Sequence, residues 1–198
     1  MHPPHCTVQN EWNLLFAGDA PPDIDVVDAI LQLGPGNHVP FRRSRHATTF
    51  LITSSSGSQQ EDLFVKHFDP PEGWEWMKSW IRGSRSSRAA RLTNALRAAG
   101  FSVPAILFYG VHHKSQREVL VTMRAAGDGP IIALRTIGNS INSKREVLRT
   151  LGNEIARLHG SGFIHGDLTP FNVRIVVDEP PRFAFIDNDR TRRNVVIR

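Results

Sequence analysis

The chain has 198 residues, of which 40% are hydrophobic and 8% aromatic, a composition that excludes a wholly disordered protein. Its single cysteine, Cys6, excludes an internal disulfide and argues against a structural zinc site. A net charge of +5, carried mostly by arginine, predicts an anionic partner. We find no zinc-finger spacing and no basic stripe interleaved with aromatic residues, so we do not expect nucleic acid to be that partner.

No segment approaches the about 20 consecutive apolar residues that cross a bilayer, and the first residues lack the pattern of a secretion signal. We therefore expect a cytoplasmic protein that is soluble or bound peripherally to a membrane.

Residues 1–40 are predicted to form a segment that precedes the folded domain. The run at residues 12–16 indicates a short strand, and the run at residues 26–31 indicates a short helix. Proline pairs and a Gly-Pro-Gly turn bound these two elements.

Residues 41–126 predict the first of two lobes. Residues 46–53 and 63–68 are rich in β-branched and aromatic side chains, and a serine-rich turn between them predicts a hairpin. A second hairpin is predicted from residues 105–109 and 118–123. This lobe should therefore contain an antiparallel sheet and one helix.

Lys66 follows an apolar run on the second of these strands. A kinase lysine in that position reaches the α and β phosphates of ATP. Taken alone, a lysine on a strand is more often a solvated surface residue.

The helix of this lobe is predicted to end at Gly100. Its apolar positions are three, four and three residues apart, at Ala89, Leu92, Leu96 and Ala99. We interpret the arginines at positions 85, 88, 91 and 97 primarily as a solvent-exposed face of the helix, with phosphate binding as the alternative. Ahead of the helix, Trp76 and Trp80 favour core packing, with contact at a bilayer interface as the alternative.

Residues 127–198 predict the second lobe. The small residues from Arg124 to Pro130 predict a hinge, where the backbone around Arg124 and Ala126 is expected to hydrogen-bond adenine. Ser143 and Glu146 indicate a capping box, followed by an amphipathic helix that stops at Gly160. The apolar positions of this helix are Leu148, Leu151, Ile155 and Leu158.

The loop His165-Gly166-Asp167-Leu168-Thr169-Pro170-Phe171-Asn172 carries the strongest functional signal. Asp167 precedes Asn172 by five positions, and Asp187 follows the next predicted hairpin, as in the catalytic elements of kinases. Such a site needs one carboxylate to orient the acceptor hydroxyl, and an amide and a second carboxylate to hold magnesium. We assign Asp167 as the base and Asn172 and Asp187 as the metal ligands. The alternative is a surface turn, since turns also favour Asp and Asn.

Taken in order, these segments resemble the bacterial lipopolysaccharide kinase family from about Phe41 onward. The resemblance rests on Phe41-Arg42-Arg43-Ser44-Arg45, residues 63–68, Gly100-Phe101-Ser102-Val103-Pro104, residues 165–172 and Ile186-Asp187-Asn188-Asp189-Arg190. It implies a two-lobed, protein-kinase-like α+β fold that uses ATP and Mg²⁺. It also implies a cytoplasmic enzyme at the inner membrane surface, with a Kdo or heptose sugar of the lipopolysaccharide core as acceptor.

The sequence departs from a kinase pattern in three places. The first hairpin lacks a glycine-rich phosphate loop, so Ser44 and Arg45 are expected to bind phosphate through backbone amides and the arginine charge. The predicted helix offers no glutamate partner for Lys66, because no acid lies between Glu75 and Glu118. Only eleven residues follow Asp187, so the second lobe is expected to be truncated.

The sequence therefore predicts an ATP-dependent kinase of a lipopolysaccharide sugar. Two alternatives stay open. One is a kinase of another small molecule, such as an aminoglycoside, which shares the His-Gly-Asp-Leu loop. The other is a non-catalytic scaffold, which the missing glutamate and glycines favour.

Overall fold

The chain forms two compact units. The first comprises residues 1–90 and 105–124, and the second comprises residues 91–104 and 125–198. The computed structural model describes residues 5–9, 11–17, 23–33, 38–44, 46–56, 59–70, 83–138 and 140–193.

A seven-stranded antiparallel sheet dominates the described part of the first unit. Its strands are β1 (His5–Gln9), β2 (Trp12–Phe16), β3 (Arg42–Arg43), β4 (Ala47–Ser56), β5 (Gln59–Phe68), β6 (Ile106–His112) and β7 (Glu118–Met123). Their order across the sheet is β1-β2-β6-β7-β5-β4-β3. The two predicted hairpins supply its centre, where β5 pairs with both β4 and β7.

Both faces of this sheet are apolar. Helix α1 (Ile24–Leu31) covers one face, where Val27 and Ile30 pack against Leu14, Phe50 and other strand side chains. On the other face, Phe68 and Leu120 pack against Ala89 and Ala90 of helix α2 (Arg85–Ala98). Because side chains alternate along a strand, Lys66 shares the α2 face with Phe68.

The segment predicted to precede the domain, residues 1–40, contributes strands β1 and β2 and helix α1 to this unit. β2 pairs with β6, and Trp12, Leu14 and Phe16 lie in the same buried cluster as α1. The predicted limits at residues 40 and 126 stay a prediction.

The second unit contains two further helices and two strand pairs among its described residues. The elements are α3 (Pro130–Thr136), α4 (Ile141–Gly160), β8 (Phe163–Ile164), β9 (Val173–Val176), β10 (Arg182–Phe185) and β11 (Arg192–Arg193). β9 and β10 form the hairpin expected after the loop of residues 165–172, and β8 pairs with β11. Their core includes Leu96, Phe101, Leu158, Phe163 and Phe185.

The start of α4 corrects a prediction. Ser140 is the capping residue, since its hydroxyl accepts a hydrogen bond from the backbone N–H of Ser143 at 3.3 Å. The helix thus begins three residues before the predicted box, and its buried stripe changes. Val147 is buried, whereas Leu148 is 48% exposed.

Helix α3 was not predicted. Gly129 and Pro130 were interpreted only as a hinge, but Gly129 is the N-cap and Pro130 occupies the first turn. Proline suits that position because the first helical N–H groups have no partner within the helix. None of the described helices is long and apolar enough to cross a lipid bilayer.

Candidate active site

The loop from His165 to Asn172 is held in place by its first residue. The buried His165 ring donates a hydrogen bond from Nε2 to the carbonyl of Ile186 at 3.0 Å. The carbonyl of His165 accepts a hydrogen bond from the hydroxyl of Thr191 at 3.3 Å. His165 thus connects the loop to the segment that follows β10.

His165 is neutral near pH 7. Burial lowers the pKa of its imidazole, although the carboxylates of Asp187, Asp167 and Asp189 oppose that shift. Its Nδ1 is buried and has no hydrogen-bond partner among the described residues. A second ring proton would therefore point at no acceptor, and proton transfer through His165 is disfavoured.

Gly166 allows the chain to pass close to Arg190. Its φ is +75°, in the left-handed region that side chains disfavour, and an added Cβ would collide with the carbonyl oxygen of Arg190. Kinase catalytic loops often carry arginine at this position. Here the backbone around residue 190 occupies the space that such a side chain would need.

Asp167 and Asn172 are in direct contact. The Asn172 amide Nδ2 donates to the backbone carbonyl of Asp167 at 2.8 Å and to its carboxylate Oδ2 at 3.3 Å. Backbone hydrogen bonds from Thr169 to Asp167 and from Asn172 to Thr169 fold the intervening residues into a tight turn. Asn172 is 1% exposed, so its buried amide fixes the orientation of the carboxylate.

Asp187 reaches the same loop through the backbone. The N–H of Ile186 donates to the carbonyl of Asn172 at 3.0 Å, which places Asp187 one residue beyond that bond. Asp187 adopts φ 59° and ψ 53°, a left-handed conformation that Asp tolerates better than most residues. It precedes a 3-10 turn, Asn188–Arg190, but its side chain makes no capping hydrogen bond to that turn.

This donor set fits Mg²⁺. The Asn172 Nδ2 faces Asp167, which leaves Oδ1 as the atom that could bind a cation, and Asp187 offers a carboxylate. Mg²⁺ prefers oxygen ligands, and at nucleotide sites one or two protein side chains and the phosphates hold it. The described residues contain no cluster of three or more His, Cys, Asp or Glu side chains. A magnesium site of this kind does not need one.

Lys66 lies in the first unit. On β5 it faces Thr49 of β4 and Leu120 of β7, and its Nζ lies 5.2 Å from the centre of the Phe68 ring. A cation over an aromatic face is attracted by the ring quadrupole. Phe68 is fully buried, so it supports the lysine on the sheet face that α2 covers.

The residues predicted to contact the nucleotide, Ser44 and Arg124, have hydrogen-bond partners within the chain, and their contact with a nucleotide stays a prediction. Ser44 donates both its backbone N–H and its hydroxyl to the carbonyl of Ala47. The Arg124 guanidinium pairs with Asp62 at 2.8 Å, and its backbone N–H donates to the carbonyl of Asp62. Ala126 is exposed. Arg45 and the tryptophans at 76 and 80 lie outside the described residues.

The arginines of α2 divide into two groups. Arg85 and Arg88 are half-buried, whereas Arg91 and Arg97 are exposed. Arg97 donates to the carbonyl of Pro104 at 2.7 Å. A contact with phosphate stays a prediction for the others.

Comparison with protein families identifies the chain. A model of the lipopolysaccharide kinase (Kdo/WaaP) family matches residues 75–198, more than half of the sequence. The chain belongs to this family. The matched range includes the complete loop that carries Asp167 and Asn172. The α+β fold and the order of its elements agree with the protein-kinase-like architecture predicted from the sequence.

Two curated archaeal proteins are similar to this member of the Kdo/WaaP family. A probable bifunctional tRNA threonylcarbamoyladenosine biosynthesis protein of Natronomonas pharaonis is 30% identical over 102 residues, covering 52% of this chain and 17% of its own. A probable serine/threonine-protein kinase BUD32 homolog of Archaeoglobus fulgidus is 29% identical over 107 residues, covering 54% of this chain and 46% of its own. The chain spans less than half the length of each relative.

Solved structures of WbdD are also similar to it. A 2.2 Å crystal structure of WbdD has a TM-score of 0.46 at 23% identity, covering 96% of this chain and 36% of WbdD. A crystal structure of monomeric WbdD has a TM-score of 0.47 at 21% identity, covering 96% of this chain and 40% of WbdD.

Two residues that support the loop of this Kdo/WaaP family member were not predicted. Thr191 binds the carbonyl of His165, and buried Asn188 donates from its amide to the carbonyl of Phe185 at 3.2 Å. The sequence signal for them is only their place shortly after Asp187.

Proposed function

We propose that this chain is an ATP-dependent kinase that phosphorylates a Kdo or heptose hydroxyl of the lipopolysaccharide core. The observation that carries the proposal is the pair of hydrogen bonds from the buried Asn172 amide to Asp167. A surface turn would not need a buried side chain that aims a carboxylate. Membership of a family of lipopolysaccharide kinases supports the acceptor class.

In the proposed reaction, Asp167 accepts a hydrogen bond from the acceptor hydroxyl and orients its oxygen toward the γ-phosphorus of ATP. A new oxygen–phosphorus bond forms, the bond from the γ-phosphorus to the β–γ bridging oxygen breaks, and the hydroxyl proton passes to Asp167. ADP leaves with the bridging oxygen. Catalysis by positioning suits this reaction, since phosphoryl transfer asks for little covalent help.

Asn172 and Asp187 are the proposed magnesium ligands, and Lys66 is the proposed partner of the α and β phosphates. Bound Mg²⁺ would neutralise charge that develops on the phosphates during transfer. His165 holds the loop and is assigned no part in proton transfer, because its Nε2 is bound to the carbonyl of Ile186 and its Nδ1 is buried.

The charge of the chain agrees with this acceptor. A net charge of +5, carried mainly by arginine, suits the carboxylates and phosphates of a lipopolysaccharide core. That acceptor is anchored in the inner membrane, so we propose that the enzyme works at its cytoplasmic face.

A protein hydroxyl is a second candidate acceptor. The likeness to the probable serine/threonine-protein kinase of Archaeoglobus fulgidus favours it. Both acceptors would use the same base and the same phosphate donor.

Transfer of labelled phosphate from ATP tests the proposal. Isolated lipopolysaccharide core, an aminoglycoside and a mixture of proteins are offered separately, and we expect label in the core sugar. Replacing Asp167 with Ala should lower turnover by about a hundredfold to ten-thousandfold, the range for a positioned general base. ATP binding should remain near that of the wild type.

Asp178→Ala is the control, since Asp178 pairs with Arg182 in the β9–β10 hairpin, at 2.6 Å. It should keep its turnover. Label in protein alone would favour the second acceptor. ATP binding without transfer to any acceptor would identify a scaffold.

A further inference from the structure

Glu118 is an acidic residue in an unusual place. It begins β7, is 5% exposed, and accepts a hydrogen bond through Oε2 from the backbone N–H of Ser86 at 2.6 Å. Ser86 is fully buried in the first turn of α2. A strand side chain therefore satisfies one of the N–H groups that a helix leaves unpaired at its start.

The first turn of α2 has a second, ordinary cap. The Ser84 hydroxyl accepts a hydrogen bond from the N–H of Ser87 at 3.1 Å. The Ser86 hydroxyl donates to the carbonyl of Gly110 on β6 at 3.4 Å. Ser84 caps the helix from within its own segment, whereas Glu118 attaches the helix to the sheet.

The sheet register connects Glu118 with Lys66. Glu118 lies directly opposite Phe68, and Leu120 lies directly opposite Lys66. Directly opposed residues share a face of the sheet. Phe68 therefore has Glu118 beside it on the neighbouring strand and Lys66 over its ring.

Helix α2 completes this arrangement. Ala89 and Ala90, one turn beyond Ser86, pack in the same buried cluster as Phe68 and Leu120. Because Glu118 fixes the start of the helix, it also fixes where these alanines press on the Phe68 ring. In many kinases the helix supplies a glutamate to the lysine. Here the acid is on the strand and the helix supplies the donor.

We propose that Glu118 is a positioning residue for Lys66. It holds α2 on the sheet face, α2 confines Phe68, and Phe68 supports the ammonium group. The consequence for nucleotide binding rests on the proposed kinase function, but the position of Lys66 can be measured without ATP.

Reductive methylation with carbon-13 provides that measurement. The chain has four lysines, so the spectrum of dimethyl-lysine signals is simple, and the Lys66→Arg variant identifies the signal that belongs to Lys66. Methyl groups on Nζ lie close to the Phe68 ring and sense its ring current. Removal of the ring support should move the Lys66 signal toward that of exposed Lys114.

Three variants decide the proposal. Glu118→Ala should move the Lys66 signal and weaken binding of ATP with Mg²⁺ about tenfold. Glu118→Gln keeps an acceptor oxygen but loses the charge that strengthens the hydrogen bond, so it should show part of both effects. Ser84→Ala removes a cap from the same helix end without touching β7, and it should change neither.

Each outcome has one interpretation. If Glu118→Ala does not fold, the Gln variant decides on the same two readouts. A Lys66 signal in Glu118→Gln that coincides with that of the wild type would overturn the proposal and leave Glu118 as a helix cap. Equal effects in Ser84→Ala would also overturn it. A shifted Lys66 signal in a protein that binds no ATP would support the positioning role and refute the proposed kinase function.

Discussion

The contact between Gly166 and Arg190 shows how much of the candidate site is set by the backbone. Asp167 follows a residue whose conformation only glycine adopts at low cost, and the carbonyl of Arg190 excludes any side chain there. The direction in which Asp167 leaves the loop therefore depends on the absence of a Cβ at position 166.

Gly166→Ala should lower the free energy of unfolding by about 1–3 kcal/mol from backbone strain alone, with more from the collision. Urea denaturation followed by circular dichroism measures this loss. Gly152→Ala is the matched control. Gly152 lies within α4, where an added Cβ would meet nothing within 4 Å.

The free energy of unfolding of the Gly152→Ala control should rise by about 0.5–1 kcal/mol, because alanine is more stable than glycine in a helix interior. If Gly166→Ala were as stable as the wild type, the close approach of residues 166 and 190 would be wrong.

The elements on the two sheet faces are attached by polar contacts as well as by apolar packing. On the α1 face, His67 of β5 donates from Nε2 to the carbonyl of Ile30 at 3.3 Å. Its ring packs edge-on against Trp12 and Phe50. Burial is the main cause that lowers the pKa of His67 to about 4.

The low pKa of His67 predicts a loss of stability in acid. As the pH falls below 6.5, the unfolded chain binds a proton at this histidine, whereas the folded protein does not bind it until about pH 4. Stability from this residue is therefore present above pH 6.5 and is lost between pH 6.5 and pH 4. The lowered pKa of His67 corresponds to a loss of roughly 3 kcal/mol in the free energy of unfolding, at about 1.36 kcal/mol for each unit of pKa.

Denaturant melts at several pH values test this. His67→Gln retains a donor for Ile30 and does not titrate, so its stability should fall less over that range. His159→Gln, an exposed change in α4, should follow the wild-type profile. Parallel profiles for the wild type and His67→Gln would show that His67 does not cause the acid sensitivity.

Sequence patterns located most elements but not all of their attachments. The alternation of residues 63–68 and 118–123 was enough to predict the central strands. The cap of α4 was predicted at Ser143 instead of Ser140, because two serines three residues apart both suit a helix start. Glu118 was visible only as the first acid after a long gap, since strand register decides which helix N–H it meets.

At the scale of the whole molecule, the proposed function requires residues of both units. Lys66 lies in the first unit, and Asp167, Asn172 and Asp187 lie in the second. Their order along the chain was predictable from motif spacing. The occupied donors of Ser44 and Arg124 were not, because each depends on a partner whose position only the folded sheet determines.

ATP with magnesium should raise the melting temperature of the whole chain, since a ligand that binds only the folded protein stabilises it. At a hundred times its Kd the gain is about 2.7 kcal/mol. Asp187→Asn keeps the shape of the side chain but not the charge that attracts the cation. The part of the shift that depends on magnesium should therefore disappear in this variant.

Asp178→Asn serves as the control and should respond to ATP and magnesium as the wild type does. Equal ligand-induced shifts in the wild type and Asp187→Asn would remove Asp187 from the metal site.

The hydrogen bonds of the catalytic loop also constrain when it can form during folding. His165 is joined to Ile186 and Thr191, which lie 21 and 26 positions further along the chain. Contacts between residues so far apart in sequence lose conformational entropy when the intervening loop closes. The β9–β10 hairpin reduces this loss by bringing the two ends of its segment together. We therefore expect the hairpin to form first and the loop to become ordered afterwards. Time-resolved hydrogen exchange would show protection at Arg174, which lies opposite Ala184 of β10, before protection at Asn172.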